Sequence, residues 1–229
     1  MEGSITIGQV YYVAFYDVPL IKFERLLMTY LASSPHGYLS FLSQMPSWLK
    51  EKLFVRNTIR KQLGYQGNIL FSTHHLSHAA AAFFPSPFEE AAFITVDGVG
   101  EWATTTYGIG RDTKVKILKE INFPHSLGLL YSAFTYFTGF KVNSGEYKVM
   151  GMAPYGNPRH REKLNKIIQI HADSRFRLNM DYFSFHHSLT ETYTERFVEL
   201  MAPVREPAAP FFTQHPGDDN TGRAQDCLL

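Results

Sequence analysis

Apolar residues recur at helical spacing from Leu20 to Leu31, placing Ile21, Leu26, Leu27, Tyr30 and Leu31 on one face, whereas Ala91 to Val96 is a short apolar, β-branched segment that reads as a buried strand. Val10 to Phe15 predicts an earlier strand, and Ser40 to Leu63 a helix with Pro46 near an internal start and Gly64 as its stop. Asn68 to Ser72 is a further core strand, and Thr104 to Ile109 with Val115 to Ile121 predicts an antiparallel pair about the turn Gly110 to Thr113. Leu127 to Tyr136 is an apolar, aromatic helix of the kind that packs beneath a sheet, its rings serving as core. Arg159 to Ile170 reads as an amphipathic helix whose Arg159, Arg161, Lys163 and Lys166 form a solvated face, and Tyr182 to His187 alternates as a strand does. Strands and helices in this order predict an α/β layer.

Composition narrows the class. The 229 residues are 45% hydrophobic, enough for one domain with its own core. A net charge of +1 gives no electrostatic reason to expect nucleic acid or an anionic membrane as partner. Cys227 stands alone, so no intrachain disulfide forms and a reducing, cytoplasmic setting is expected. No leader pattern and no run near the ~20 apolar residues of a membrane span is present.

The candidate chemistry begins at His74-His75-Leu76-Ser77-His78. On a helix from Thr73 to Phe84, His74 and His78 share a face while His75 points about 100° away. Asp97 follows the Ala91 to Val96 strand in an Asp-Gly-x-Gly exit turn, the strand end where α/β sheets place ligand chemistry. Two imidazoles and a carboxylate suit iron, zinc or manganese better than calcium, and three protein ligands leave coordination positions open. Each part has a plainer counterpart, a core or capping histidine and a turn aspartate.

A second motif runs from Asn143 to Gly156 and concentrates Asn143, Gly145, Glu146, Lys148 and Gly151 between an aromatic helix and a basic one. Small residues admit phosphate to the backbone, Lys148 pairs with it, and amides at a helix start favour anions. The plainer alternative is a capping turn at 143–146 and a proline-glycine stop at 154–156. The Walker spacing is absent. His125 is read as a helix-entry residue with substrate contact as the alternative, and His186-His187 lack a spaced carboxylate partner.

These stretches, with Tyr11 to Ala32, Val96 to Glu101 and Phe123 to Gly139, resemble in order and extent the O-carbamoyltransferases, which include nodulation proteins and enzymes that decorate tobramycin and cephamycins. The resemblance implies an actin-like ATPase (RNase H-like) domain, similar to the one that builds threonylcarbamoyladenosine on tRNA, joined to a YrdC-like domain. It implies ATP and carbamoyl phosphate as substrates, a carbamoyl-adenylate intermediate, and a small-molecule hydroxyl acceptor. The family's metal ligands match His74, His78 and Asp97, with a later Asp as fourth ligand beyond this chain. By this reading Lys148 and the amides near Gly145 stabilise developing negative charge, Glu146 orients nucleotide or acceptor, and Gly98, Gly100, Asn143 and Gly151 line the nucleotide site.

The family's His-Asp-Ser/Ala-Ala phosphate-binding segment, expected before Gln9, has no counterpart here, and the adenosine loop and YrdC-like region are expected after residue 229. Residues 1–203 therefore read as a partial Kae1-like domain, inactive in isolation, and 204–229 as a divergent tail in which Ala224 to Asp226 resembles the remnant of a helix. A homo-oligomer is left open. The rival readings are an actin-like sugar or acetate kinase, which needs no paired histidines, and a non-catalytic fragment.

Overall fold

The computed structural model describes residues 5–155, 160–173, 175–201 and 204, so the expected tail, with its helix remnant and Cys227, lies outside the described residues apart from Val204, as do Gly156 and Arg159. The chain divides between Phe123 and Pro124 into two units of mixed α/β structure.

In the first unit, Tyr12–Phe15 (β1) pairs in parallel with Asn68–Phe71 (β2), in register from Tyr12↔Asn68 to Phe15↔Phe71. Parallel neighbours require a long crossover, supplied by helices Pro19–Ala32 (α1), Tyr38–Lys50 (α2) and Val55–Leu63 (α3). Pro19 opens α1, where a missing N–H costs nothing. Ile21, Leu26, Leu27 and Tyr30 are half-buried as their spacing predicts, but Leu31, in the last turn, is 71% exposed. The helix expected over 40–63 is two helices. Pro46 sits inside α2 rather than at a start, and the break falls at Glu51, where the chain tightens into a 3-10 turn at Lys52–Phe54. Gly64, at φ 64°, ends α3 as expected.

Glu90–Val96 (β3), Ala103–Arg111 (β4) and Lys114–Asn122 (β5) form an antiparallel sheet, β4 and β5 turning at Asp112. Helix His74–Phe83 (α4) packs on this sheet through His75, Ala79 and Phe83, the i, i+4, i+8 stripe of a helix face. Period-2 alternation buries Thr95 while Ile94 and Val96 stay 69% and 50% exposed, so β3 is covered on one face in this unit rather than two.

The second unit starts at Leu127–Phe137 (α5), whose first turn is capped by the Ser126 hydroxyl accepting the Leu129 amide at 3.0 Å. Glu146–Met152 (α6) and Arg161–Ile167 (α7) follow, and Ile168–Ile170 (β6) pairs antiparallel with Phe176–Leu178 (β7). The helix expected to reach Ile170 therefore stops at Ile167, its β-branched end joining a sheet instead. Ala133, Phe137, Ile167, Leu178 and Phe183 form the core with Phe197 and Met201 of Glu195–Met201 (α8). Phe134 and Phe137 meet Phe197 edge-on at 5.2 Å, whereas Tyr131 and Tyr136 of α5 reach solvent. The strand expected over 182–187 is one bridge, Phe183↔Tyr193, and a turn in which the Ser184 carbonyl accepts the His187 and Ser188 amides at 3.0 and 2.8 Å.

Burial lowers the pKa of His125 and pushes that of His186 down to about 4, the neighbouring charges of Arg177 and His187 respectively adding to the shift. A histidine lowered in the folded state is resisted in its charged form, so its contribution is complete above the ordinary value of 6.5 and is lost as pH falls toward the folded value. Urea midpoints followed by circular dichroism should fall between pH 7 and pH 5. The drop should shrink in His186→Gln; an unchanged drop would remove His186 as a cause.

Candidate functional site

α4 begins directly after β2, and Asp97 directly follows β3, so two strand ends bring the predicted ligands together. His74 Nε2 lies 2.5 Å from Asp97 Oδ2 and 3.1 Å from His78 Nε2, and His78 Nε2 lies 3.4 Å from the same Asp97 oxygen. Their ligand atoms fall within 4.8 Å of one another, and among the described residues no other group of three or more His, Cys, Asp or Glu does so. Burial on its own would raise the Asp97 carboxyl, but the His74 contact and the Gly98 amide outweigh it and hold it below the usual carboxylate range. An ionised carboxylate 2.5 Å from an imidazole nitrogen needs a proton or a metal ion between them. Nitrogen, nitrogen and oxygen donors fit a divalent iron, zinc or manganese ion. The side chain of His78 is 53% exposed, so the cluster is open on its side.

His75 points away, as the helical period requires. It is 2% exposed, with Nδ1 at 2.6 Å from the Thr95 hydroxyl and Nε2 at 2.8 Å from the Ala103 carbonyl. Nε2 therefore donates, Nδ1 accepts from Thr95, and Thr95 accepts in turn from Thr106 at 2.7 Å. Burial lowers its pKa, keeping the ring neutral and structural.

Three residues of this site carried no assignment from sequence. Asp17, 6% exposed, reaches His74 Nδ1 at 3.1 Å and Lys22 Nζ at 2.7 Å. Glu101, 7% exposed, accepts the Val18 amide at 2.9 Å and the His74 amide at 3.0 Å, satisfying the amide of the residue that caps α1 and the first amide of α4. For Asp17 a signal existed, since it stands just past the end of β1 as Asp97 stands past β3. Lys22 lies one helical turn into α1 and has no such mark.

Gly98 and Gly100 serve the turn. The Gly98 amide donates to Asp97 Oδ1 at 2.6 Å, and a Cβ on Gly100 would sit 3.0 Å from both His74 Cβ and His75 Cδ2, so a side chain there would push His74 and His75.

The remaining predicted residues belong to the second unit. Glu146 starts α6, and its carboxylate accepts the Asn143 amide at 2.7 Å and the Gly145 amide at 3.1 Å. The amides offered to an anion near Gly145 are thus engaged by Glu146. Burial would raise its pKa, but these amides together hold it low. Asn143 takes φ 64°, and a Cβ on Gly145 would lie 2.7 Å from the Lys141 carbonyl, so these residue types are required by the turn itself. Lys148 is exposed, its Nζ 5.9 Å from the Phe140 and Tyr147 ring centroids, and Gly151 faces open space. His125 Nδ1 accepts the Leu178 amide at 3.3 Å, tying the entry of α5 to β7.

An α/β domain that presents two histidines and an aspartate from strand ends defines a class of candidate metal-dependent proteins, and comparison with known proteins sharpens it. A family model described as Carbamoyltransferase N-terminus matches residues 2–209, so the chain belongs to that family. It is 51% identical over 219 residues to an uncharacterized protein of Synechocystis sp., covering 91% of this chain and 35% of that protein. Nodulation protein NolNO of Sinorhizobium fredii is 36% identical over 143 residues, covering 61% of this chain and 21% of that protein. Nodulation protein NolO of Bradyrhizobium diazoefficiens is 35% identical over 111 residues, covering 47% and 20%. The chain thus spans about a third or less of the length of these relatives. Among the described residues no helix is long and apolar enough to cross a membrane.

Proposed function

We propose that this chain is the amino-terminal part of a cytoplasmic, ATP-dependent O-carbamoyltransferase that moves a carbamoyl group from carbamoyl phosphate, through carbamoyl-adenylate, to a hydroxyl of a small-molecule acceptor. The observation that carries the reading is the convergence of His74, His78 and Asp97 in a chain of the carbamoyltransferase family. The domain is read as actin-like, working with a YrdC-like domain of the same enzyme.

In the transfer step the acceptor oxygen bonds to the carbamoyl carbon, the bond from that carbon to the adenylate oxygen breaks, AMP departs, and the hydroxyl proton passes to water or to the departing phosphate. His74, His78 and Asp97 would hold a divalent metal, which would supply Lewis acidity toward a carbonyl or phosphoryl oxygen. Asp97, kept ionised, supplies the negative charge of the ligand set, and the histidines supply neutral donors. Glu146 holds the 143–146 turn in shape, and Lys148, exposed beyond it, is the group available to pair with phosphate.

The test uses this chain and its intact Synechocystis relative, measuring bound metal and ATP-dependent consumption of carbamoyl phosphate. Metal in both and turnover in the intact protein are expected. A folded intact relative that shows neither overturns the reading.

A further inference from the structure

We propose that Asp17 is a positioning residue of the metal centre: it accepts a hydrogen bond from the Nδ1–H of His74, leaving the Nε2 lone pair directed at the ion. The proposal rests on the reading that His74, His78 and Asp97 hold a divalent metal.

A neutral imidazole has one N–H and one lone pair, and the contacts of His74 decide which nitrogen has which. If the proton sat on Nε2, the Nδ1 lone pair would face the buried Asp17 Oδ1 at 3.1 Å with no hydrogen between two acceptors. With the proton on Nδ1 that contact becomes a charge-assisted hydrogen bond. Nε2 then turns a lone pair toward Asp97 Oδ2 at 2.5 Å and His78 Nε2 at 3.1 Å, three electron-pair donors that a cation seated among them satisfies together.

The surroundings of Asp17 suit this role. Lys22 holds its second oxygen at 2.7 Å, which compensates burial of the carboxylate and fixes its plane. Glu101 pins the His74 backbone amide, so the main chain and the ring are held independently. The side chain of His74 is 14% exposed and that of His78 is 53% exposed, and among the described residues no carboxylate contacts a second nitrogen of His78. The site is therefore asymmetric, with one ligand preset and one adaptable. Carboxylates behind metal-bound imidazoles orient them and raise their basicity, and losing one costs about 10–100-fold in affinity.

The experiment titrates zinc into the 229-residue chain, and into Asp17→Ala and Asp17→Asn, by competition with a chelator. Long-range proton–nitrogen NMR of the zinc-bound wild type reads the His74 ring directly. Zinc on Nε2 with the proton kept on Nδ1 is expected, with affinity about 10–100-fold lower in Asp17→Ala and less reduced in Asp17→Asn, whose amide oxygen still accepts. Zinc on His74 Nδ1 overturns the proposal without any variant, as does an Asp17→Ala chain that loses thermal stability but keeps wild-type affinity. In both cases the metal centre itself survives. A folded wild type that binds no zinc, iron or manganese overturns the metal centre and this role with it.

Discussion

Glu101→Ala is expected to destabilise the first unit by about 3–6 kcal/mol, from two charge-assisted hydrogen bonds worth roughly 1.5–3 kcal/mol each. Glu101 is buried and its carboxylate accepts the Val18 and His74 amides, so truncation strands two helix-start donors at once. It also removes negative charge from two helix N-termini. Arg25 loses support as well: burial lowers its pKa and the Glu101 charge opposes that shift. Against the 5–15 kcal/mol that holds a typical domain folded, the loss should move the urea midpoint of Trp48 and Trp102 fluorescence far down. Glu101→Gln, which keeps one acceptor oxygen, should cost less than half as much. A loss under about 1 kcal/mol in the Ala variant would mean that water replaces the carboxylate at both amides.

This carboxylate shows where the sequence stops being readable. β1, α1, α4, β4, β5 and α5 announce themselves because each carries several residues in one period, so the signal accumulates along the element. The break at Glu51 does not, because no Gly or Pro marks it; α2 instead holds Trp48 buried against Phe23 at 5.8 Å, a contact made across helices. The exposed Ile94 and Val96 were misleading in the same way, since a largely apolar, β-branched strand predicts two covered faces and this unit covers one.

The site divides along the same line. His74 and His78 are legible because i, i+4 spacing is itself a geometric statement, and Asp97 because it stands at a strand exit. Asp17 and Glu101 reach the same histidine across 57 and 27 positions, and a lone carboxylate has no spacing to betray its partner. In the 143–151 segment the residue types were legible and their use was not: Asn143, Gly145 and Glu146 satisfy one another's backbone, which a phosphate-binding loop and a capping turn require of similar residues. The division at Phe123 has no compositional mark, because the chain passes from β5 toward α5 without a Pro/Gly-rich linker of any length.

His74→Ala is expected to lower metal affinity by more than about a hundredfold, beyond the roughly 10–100-fold that outer-shell changes cost. The variant removes one of the three proposed ligands and disconnects Asp17 from the cluster, which would leave His78 and Asp97 to hold the ion alone. The readout need not be activity. A ligand that binds only the folded chain stabilises it by about 2.7 kcal/mol at a hundred times its Kd, so added zinc should raise the wild-type Tm and leave that of His74→Ala unmoved. His78→Ala retains the preset ligand and should fall between them, losing about tenfold or more. Metal-free Tm values, measured first, separate loss of the ion from loss of the fold: Asp17 keeps Lys22 in the His74 variant, so its carboxylate is not left buried alone. A zinc-dependent Tm rise in His74→Ala equal to that of the wild type would place the ion elsewhere and return the three converging side chains to an ordinary hydrogen-bonded cluster.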